Sequence, residues 1–148
     1  MNGVIAVNRR ASFDYEILER YEAGIELKGF EVKAIKTGRV NLAGSFATAK
    51  DDQLWLTNAD IPPYQPANTP PDYDSKRPRR LLLKKSEIKE LTGKIHKTGL
   101  TLVPLKVYIK NRRIKIEIGL VRGRKKTDKR ETLKQREWRR LRRNIETR

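Results

Sequence analysis

Two neighbouring segments with strict two-residue alternation constrain this chain most, because they predict a β-hairpin with one buried face. Leu105, Val107 and Ile109 are apolar at alternate positions of the first segment, and the same pattern runs through residues 114–120 of the second. A period of two places these side chains on one face of each strand. Asn111-Arg112 is a suitable turn between the strands. The opposite face then points towards solvent or a ligand and carries Lys106, Tyr108, Lys110 and Lys115.

Shorter segments predict further strands. Residues 13–27 alternate and are rich in β-forming residues, with Gly24 predicted to form a bend or a bulge. Residues 45–49 and 53–58 flank Asp51-Asp52 and predict a second hairpin. The pair of aspartates suits this turn better than it suits a metal site.

Two short segments favour helices. Residues 29–38 lie between two glycines and fit either a strand or one helical turn, of which we favour a short helix. A second helix is predicted with Ser86 as its N-cap, Glu87 in its first turn and Gly93 at its end. The residues of this second helix that face inward are Ile88 and Leu91.

The order of these elements indicates a fold class. Residues 62–78 contain six of the seven prolines and predict a long surface loop without chemistry of its own. Short strands, a small helix before the last hairpin and this loop together favour a compact barrel. The predicted fold is therefore mainly β: a small OB-like β-barrel with one or two short helices and a basic C-terminal tail.

The charge of the chain is large and uneven. Its 35 Lys and Arg residues face 18 Asp and Glu residues, a formal net charge of +17. Residues 122–148 hold 13 basic and 4 acidic residues (net +9), and residues 1–121 hold 22 and 14 (net +8). Such self-repulsion favours a polyanionic partner. We therefore predict an RNA-binding barrel over residues 1–121 and a basic tail over residues 122–148, disordered in the free protein.

Basic clusters and aromatic rings recur along the barrel sequence. Basic groups neutralise phosphates, and exposed rings stack on bases. For any single ring core packing is the better interpretation, and for any single lysine a solvated position. The basic clusters are Asn8-Arg9-Arg10, 77–80, Lys84-Lys85, Arg112-Arg113 and 122–126, and the rings are Tyr15, Tyr21, Phe30, Tyr64, Tyr73 and Tyr108.

No pattern in the sequence indicates catalysis, a metal site or a cofactor. The absence of cysteine excludes disulfides and iron–sulfur clusters. The single histidine, His96, lies just beyond the second predicted helix and fits a solvated or capping position. There is no Gly-rich phosphate loop, and no apolar run approaches the roughly 20 residues of a membrane span. We therefore predict no catalytic residue, no metal and no cofactor.

Helical phasing describes the tail further. At about 100° per residue, Trp138, Leu141 and Ile145 cluster on one side of a helix, and Lys134 interrupts this stripe. An interrupted stripe argues against a membrane-surface helix. One interpretation of such a chain is a ribosomal or other structural RNA-binding protein with a basic extension. An RNA-modifying enzyme is disfavoured, because no catalytic constellation is present.

Taken together, these segments resemble the small protein B family, the SsrA-binding proteins that partner transfer-messenger RNA in ribosome rescue. The matches run in order through nearly the whole chain at close to the spacing of the family. They are Asn8-Arg-Arg-Ala11, Tyr15, Glu22-Ala-Gly-Ile25, Leu27-Lys-Gly29, Glu31-Val-Lys33, Arg80-Leu-Leu-Leu83, Gly99-Leu-Thr-Leu-Val-Pro104, Lys115, Gly119, Gly123-Arg-Lys-Lys126 and Asp128-Lys-Arg130.

The resemblance implies a protein of the bacterial cytoplasm whose barrel grips the tRNA-like part of transfer-messenger RNA. It also implies a tail that becomes helical in the empty messenger channel of a stalled ribosome. Its implied partners are transfer-messenger RNA, ribosomal RNA and elongation factor Tu with GTP, and we expect a monomer. With the basic clusters, the predicted RNA-binding residues are Asn8, Arg9, Arg10, Glu22, Leu82, Lys84 and Lys115. The predicted ribosome-binding residues are Arg124, Lys125, Lys126, Asp128, Lys129 and Arg130, with Trp138 and Ile145 on the tail helix.

The sequence departs from the family pattern at two places. Thr127 stands where the family commonly has an aromatic residue or histidine before the Asp-Lys-Arg triplet, so the ring that could stack on a ribosomal base is missing. Arg124 stands in the usual Gly-Lys-Lys opening, which keeps the charge and changes the geometry of the hydrogen-bond donors.

Overall fold

The computed structural model describes residues 3–97 and 99–123, which form seven strands and three α-helices. The tail residues 124–148 lie outside this part of the chain. The strands are β1 Gly3–Val7, β2 Tyr15–Ile25, β3 Phe46–Lys50, β4 Gln53–Thr57, β5 Arg79–Leu82, β6 Leu100–Lys110 and β7 Arg113–Gly123. The α-helices are α1 Arg9–Asp14, α2 Gly29–Lys36 and α3 Lys85–Ile95, and a 3-10 helix covers Pro66–Asn68.

The antiparallel sheet closes on itself. The strand order is β1-β6-β3-β4-β5-β2-β7, and β7 also pairs with β6. Six strands therefore form a ring, to which β1 is added along β6. The predicted OB-like barrel is confirmed, with three α-helices instead of one or two. No helix in residues 3–97 and 99–123 is long and apolar enough to span a membrane.

Both predicted hairpins form, and their turns explain why. Asp51 and Asp52 have φ angles of 53° and 58°, and Asn111 and Arg112 have 52° and 64°. Two consecutive positive φ angles between paired strands match the twist of a two-residue hairpin, and Asn and Asp tolerate them better than other side chains do. The apolar face of β7, from Ile114 to Leu120, packs in or against the main core as predicted.

A β-bulge in β6 overturns one part of the predicted alternation. The register with β7 shifts between Pro104 and Lys106, so Leu105 is the extra residue. Leu105 therefore leaves the face of Val107 and packs under α1 in a second apolar cluster. Gly119 lies beneath it, where a Cβ would meet Leu105 Cδ1 at 2.9 Å. A bulge moves one residue to the other face, which strict alternation does not reveal.

The helices agree only partly with their predicted limits. The predicted helix at residues 29–38 is α2, whereas α1 was not predicted because six residues are too few to show a helical period. Ser86 is not the N-cap of α3: Lys84 holds that position, and its backbone N–H donates to Glu87 at 3.3 Å. Gly93 does not end α3. The helix continues to Ile95, whose side chain packs against the main core.

Gly24 forms no bend, because β2 continues regularly through it to Ile25. The bulge of β2 lies instead between Ile17 and Glu19. A Cβ on Gly24 would come within 3.2 Å of Leu82 Cβ on the neighbouring strand. Glycine therefore allows close packing between the two strands at this position.

A buried ion cluster fastens the proline-rich loop to the barrel. Glu31 on α2 and Arg79 at the start of β5 are fully buried, and Nη2 of Arg79 lies 2.6 Å from Oε2 of Glu31. Arg77 also donates a hydrogen bond to the Glu31 carboxylate. The Tyr73 hydroxyl lies 3.0 Å from Glu31 and 2.8 Å from the carbonyl oxygen of Ile61. Residues 62–78 thus form an ordered surface excursion. The basic run 77–80 is largely committed inside the protein and is not a free phosphate-binding cluster.

The ion cluster sets the protonation of Glu31. Burial would raise the pKa of this carboxyl, but hydrogen bonds from Arg77, the Lys28 backbone and Arg79 outweigh it and lower the pKa from 4.5 to about 2. Because the pKa of Glu31 is lower in the folded protein than in the unfolded chain, ionised Glu31 stabilises the fold at pH values above about 4.5. This stabilisation is lost as the pH falls from about 4.5 towards 2.

We predict that Glu31→Gln lowers the free energy of unfolding at pH 7 by about 3 kcal/mol, because Arg79 is left buried without a counter-charge. The variant should also lose much of the wild-type dependence of stability between pH 4.5 and 2. Urea unfolding at a series of pH values measures both effects. Glu26→Gln is the matched control, since its exposed pair with Arg80 should contribute under about 0.5 kcal/mol. Equal losses in the two variants would contradict the structural role of Glu31.

Candidate nucleic-acid interface

Four strands align side chains in a row on the outer face of the barrel. Tyr108 on β6 lies opposite Lys115 on β7, Lys115 lies opposite Gly24 on β2, and Gly24 lies opposite Leu82 on β5. Leu82 is 46% exposed although it is apolar. Because Gly24 has no side chain, the Leu82 side chain packs closely over this position in the row. We call this surface the β6–β7–β2–β5 face.

A second row runs beside the first. Lys106 on β6 lies opposite Glu117 on β7, and Glu117 lies opposite Glu22 on β2. Arg20 donates to Glu117 at 2.9 Å, and the Lys106 Nζ lies 3.6 Å from the same carboxylate. Glu117 is thus neutralised by two cations. Glu22 interacts with a different set of groups.

Glu22 receives hydrogen bonds from β6. The Tyr108 hydroxyl donates to Oε2 of Glu22 at 2.5 Å, and the Lys110 Nζ lies 3.3 Å from the same oxygen. The hydrogen bonds from Tyr108 and Lys110 lower the pKa of Glu22, against the opposing effect of burial. Burial and this carboxylate raise the pKa of Tyr108. At neutral pH a charged carboxylate therefore faces a neutral phenol on this surface.

A groove of about 390 Å³ extends the face towards α2. Its floor is apolar and its rim is basic, which suits an RNA segment with an unstacked base and flanking phosphates. The lining residues are Gly24, Ile25, Leu27, Val32, Lys36, Leu82, Arg112, Arg113, Ile114 and Lys115. The structure thus brings together Glu22, Leu82 and Lys115 of the predicted site. It adds Lys36, Tyr108 and Lys110 to this site. Tyr108 and Lys110 were predicted from the sequence to lie on the face that points towards solvent or a ligand, whereas Lys36 was not predicted.

Asn8, Arg9 and Arg10 lie at another part of the surface, at the start of α1. The Asn8 amide donates to the carbonyl oxygen of Pro104 at 2.9 Å, and its backbone N–H donates to that of Leu105 at 2.7 Å. Asn8 therefore holds the bulge of β6 in place. Arg9 and Arg10 are exposed. Arg9 lines a cleft with Arg20 and Lys106, which connects α1 to the β6–β7–β2–β5 face.

The remaining predicted residues divide between surface and interior. Lys84 is exposed beside Leu82 and Leu83. The Phe30 and Tyr73 rings pack edge to face at 4.8 Å, so they are engaged with each other. Tyr21 packs partly against the core under Lys94. Among residues 3–97 and 99–123, no group of three acidic or histidine side chains forms a metal-binding arrangement. The predicted tail residues, from Arg124 to Ile145, lie outside the described residues.

The position of Asn8 generates a prediction about stability. Asn8→Ala leaves the carbonyl oxygen of Pro104 without its amide donor, so we expect a loss of about 1–2 kcal/mol in the free energy of unfolding. Asn68→Ala is the control, because its amide bonds only to the exposed side chain of Gln65 and should cost under about 0.5 kcal/mol. Chemical denaturation of both variants measures the difference. A value for Asn8→Ala no larger than the control would contradict its role at the bulge.

Comparison with known proteins identifies the family. A family model described as SmpB protein matches residues 5–147. The SsrA-binding protein of Thermosynechococcus vestitus is 51% identical over 134 residues, which cover 90% of this chain and 88% of the relative. That of Carboxydothermus hydrogenoformans is 53% identical over 137 residues, covering 93% and 91%.

A solved structure agrees with the sequence relatives. It is described as "tmRNA-SmpB: a journey to the center of the bacterial ribosome", and it matches with a TM-score of 0.69 and 47% identity. The match covers 86% of this chain and 93% of that chain. The resemblance inferred from the ordered motifs is confirmed, and the chain belongs to the SmpB family of SsrA-binding proteins.

Proposed function

We propose that this protein is a transfer-messenger RNA-binding adaptor for trans-translation in the bacterial cytoplasm. Its barrel binds the tRNA-like part of the RNA and helps to deliver it to the A site of a stalled ribosome. The proposal is supported by a family whose relatives are named SsrA-binding proteins, and by a related structure whose description joins tmRNA, SmpB and the ribosome. The protein acts without catalysis of its own, as a monomer.

The observation that carries this proposal is the composition of the β6–β7–β2–β5 face. Exposed Leu82, glycine at position 24 and a basic groove rim offer an apolar contact between phosphate-binding groups. Phosphate contacts supply affinity and orientation, whereas apolar and hydrogen-bonding contacts to bases or ribose supply specificity. A surface with both kinds of group fits a structured RNA better than a generic polyanion.

The proposed binding set joins this face to α1. Asn8 acts by holding the bulge and therefore the strand that presents Tyr108. Arg9 and Arg10 extend the basic surface beyond the face. The RNA-binding residues we propose are Asn8, Arg9, Arg10, Glu22, Leu82, Lys84 and Lys115.

The tail is proposed to sense the empty messenger channel of the ribosome. The described barrel ends with β7 at Gly123, two residues beyond the predicted boundary at Val121. Residues 124–148 are strongly basic, which suits contact with ribosomal RNA. Elongation factor Tu with GTP is a proposed third partner in the delivered complex. The tail residues we assign to the ribosome are Arg124, Lys125, Lys126, Asp128, Lys129, Arg130, Trp138 and Ile145.

Lys115→Met tests the proposed RNA-binding face. If Lys115 neutralises a phosphate, the variant should weaken binding of the tRNA-like RNA and reduce the slope of log affinity against log salt by about 1. Lys33→Met is the matched control, because Lys33 lies on α2 beside Tyr64 and Gln65, away from the face. Fluorescence titration across salt concentrations measures both quantities. An unchanged slope for Lys115→Met, or an equal change for Lys33→Met, would argue against this surface.

Removal of the tail tests the division of labour. A chain that ends at Gly123 keeps every strand of the barrel, so we expect its affinity for the tRNA-like RNA to stay within about threefold of the full chain. Tagging of stalled chains in a reconstituted translation system should be abolished. Full-length Trp138→Ala provides a second, milder perturbation of the tail. Normal tagging by the shortened chain would refute the proposed role of the tail.

A further inference from the structure

Glu22 is an acidic residue on a surface proposed to bind a polyanion. Its side chain is 41% exposed, so a phosphate placed nearby would be repelled. The carboxylate is nevertheless held in place by two hydrogen bonds. The Tyr108 hydroxyl donates to it at 2.5 Å and the Lys110 ammonium at 3.3 Å.

The two oxygens of Glu22 differ in their partners. Both Tyr108 and Lys110 donate to Oε2. Within residues 3–97 and 99–123, no group donates to Oε1 of Glu22. An ionised carboxylate accepts hydrogen bonds at both oxygens. Oε2 is therefore engaged by protein donors, whereas Oε1 receives none from the described residues and belongs to a side chain that is 41% exposed.

The partners of Glu22 are themselves held in place. Tyr108 lies opposite Lys115 within the β6–β7 ladder, and the Lys106 Nζ lies 5.5 Å from the centre of its ring. A cation over an aromatic face is attracted to it. The Tyr108 ring is thus anchored in a strand and flanked by a lysine ammonium. Such a support limits the orientations of the carboxylate.

We infer that Tyr108 and Lys110 are positioning residues that hold Oε2 of Glu22, so that Oε1 accepts a hydrogen bond from an uncharged donor of the bound RNA. This inference rests on the proposed RNA-binding function. The donor is an N–H of a base or the hydroxyl of a ribose, since both are neutral and neither is repelled by a carboxylate. Glu22 then contributes selectivity, because a misplaced phosphate meets a fixed negative charge.

A double-mutant cycle tests the positioning role in the full chain. Tyr108→Phe removes the donor and keeps the ring, and it should weaken binding of the tRNA-like RNA roughly threefold to tenfold. In a Glu22→Ala background the same change should cost less than about twofold, because Tyr108 then has no carboxylate to hold. Equal losses in both backgrounds, or no loss in the wild-type background, would overturn the inference.

Two further readouts separate positioning from a general structural effect. Tyr108→Phe removes no charge, so the salt dependence of binding and the urea midpoint of unfolding should both stay unchanged. A clear fall of the urea midpoint would assign the loss of affinity to folding instead. Tyr64→Phe is the matched control, since its hydroxyl lies outside the face, and its RNA affinity should equal that of the wild type.

Modified RNA distinguishes the two sources of the donor. If Glu22 reads a base amine of guanine, replacement of the contacted guanosine by inosine should abolish the effect of Glu22→Ala. If it reads a ribose hydroxyl, a single 2′-deoxy substitution should do so. Either result supports an uncharged donor. An effect of Glu22→Ala that survives every 2′-deoxy substitution, and every base analogue that removes an amine or imino N–H from the bound RNA, overturns the inference.

Failure of the inference is distinguishable from failure of the proposed function. If the wild-type chain does not bind the tRNA-like RNA, the proposed function and the inference are both overturned. If it binds tightly and the double-mutant cycle shows no coupling between Tyr108 and Glu22, only the positioning role is overturned.

Discussion

The pairing of β7 with both β6 and β2 is the constraint on which the rest of this structure depends. It closes the sheet and places the alternating apolar residues of β7 in the main core. The same alternation forces Lys115 and Glu117 onto the outer face, where Lys115 lies opposite Tyr108 on β6 and Glu117 lies opposite Glu22 on β2. The core and the proposed RNA-binding face are thus two sides of one strand.

A bulge and a buried ion pair join the barrel to two of its helices. The bulge at Leu105 turns one apolar side chain outwards, where α1 covers it, and Asn8 satisfies the backbone beside it. On another side, the buried pair of Glu31 and Arg79 joins α2 to β5. Val32 and Lys36 of α2 line the groove, so the ion pair anchors the helix that forms one side of it.

The sequence predicted the parts of this protein that depend on local patterns. Both hairpins follow from alternation and turn residues, and the family follows from many short motifs in order. The burial of Arg79 could not be predicted, because a basic run has the same sequence whether it faces solvent or a buried carboxylate. The hydrogen bond from Tyr108 to Glu22 joins residues 86 positions apart, and no local pattern indicates such a contact. Family motifs suggested Glu22, and only the sheet register showed which residues hold it.

Lysine footprinting of the full chain, with and without the tRNA-like part of transfer-messenger RNA, tests the central claim most directly. The claim is that the outer face of β6, β7, β2 and β5 is the surface that binds this RNA. We predict that acetylation of Lys110 and Lys115 falls strongly in the complex, while Lys33 on α2 and Lys76 on the proline-rich loop stay reactive. Protection of Lys33 and Lys76 with no change at Lys110 and Lys115 would contradict the account.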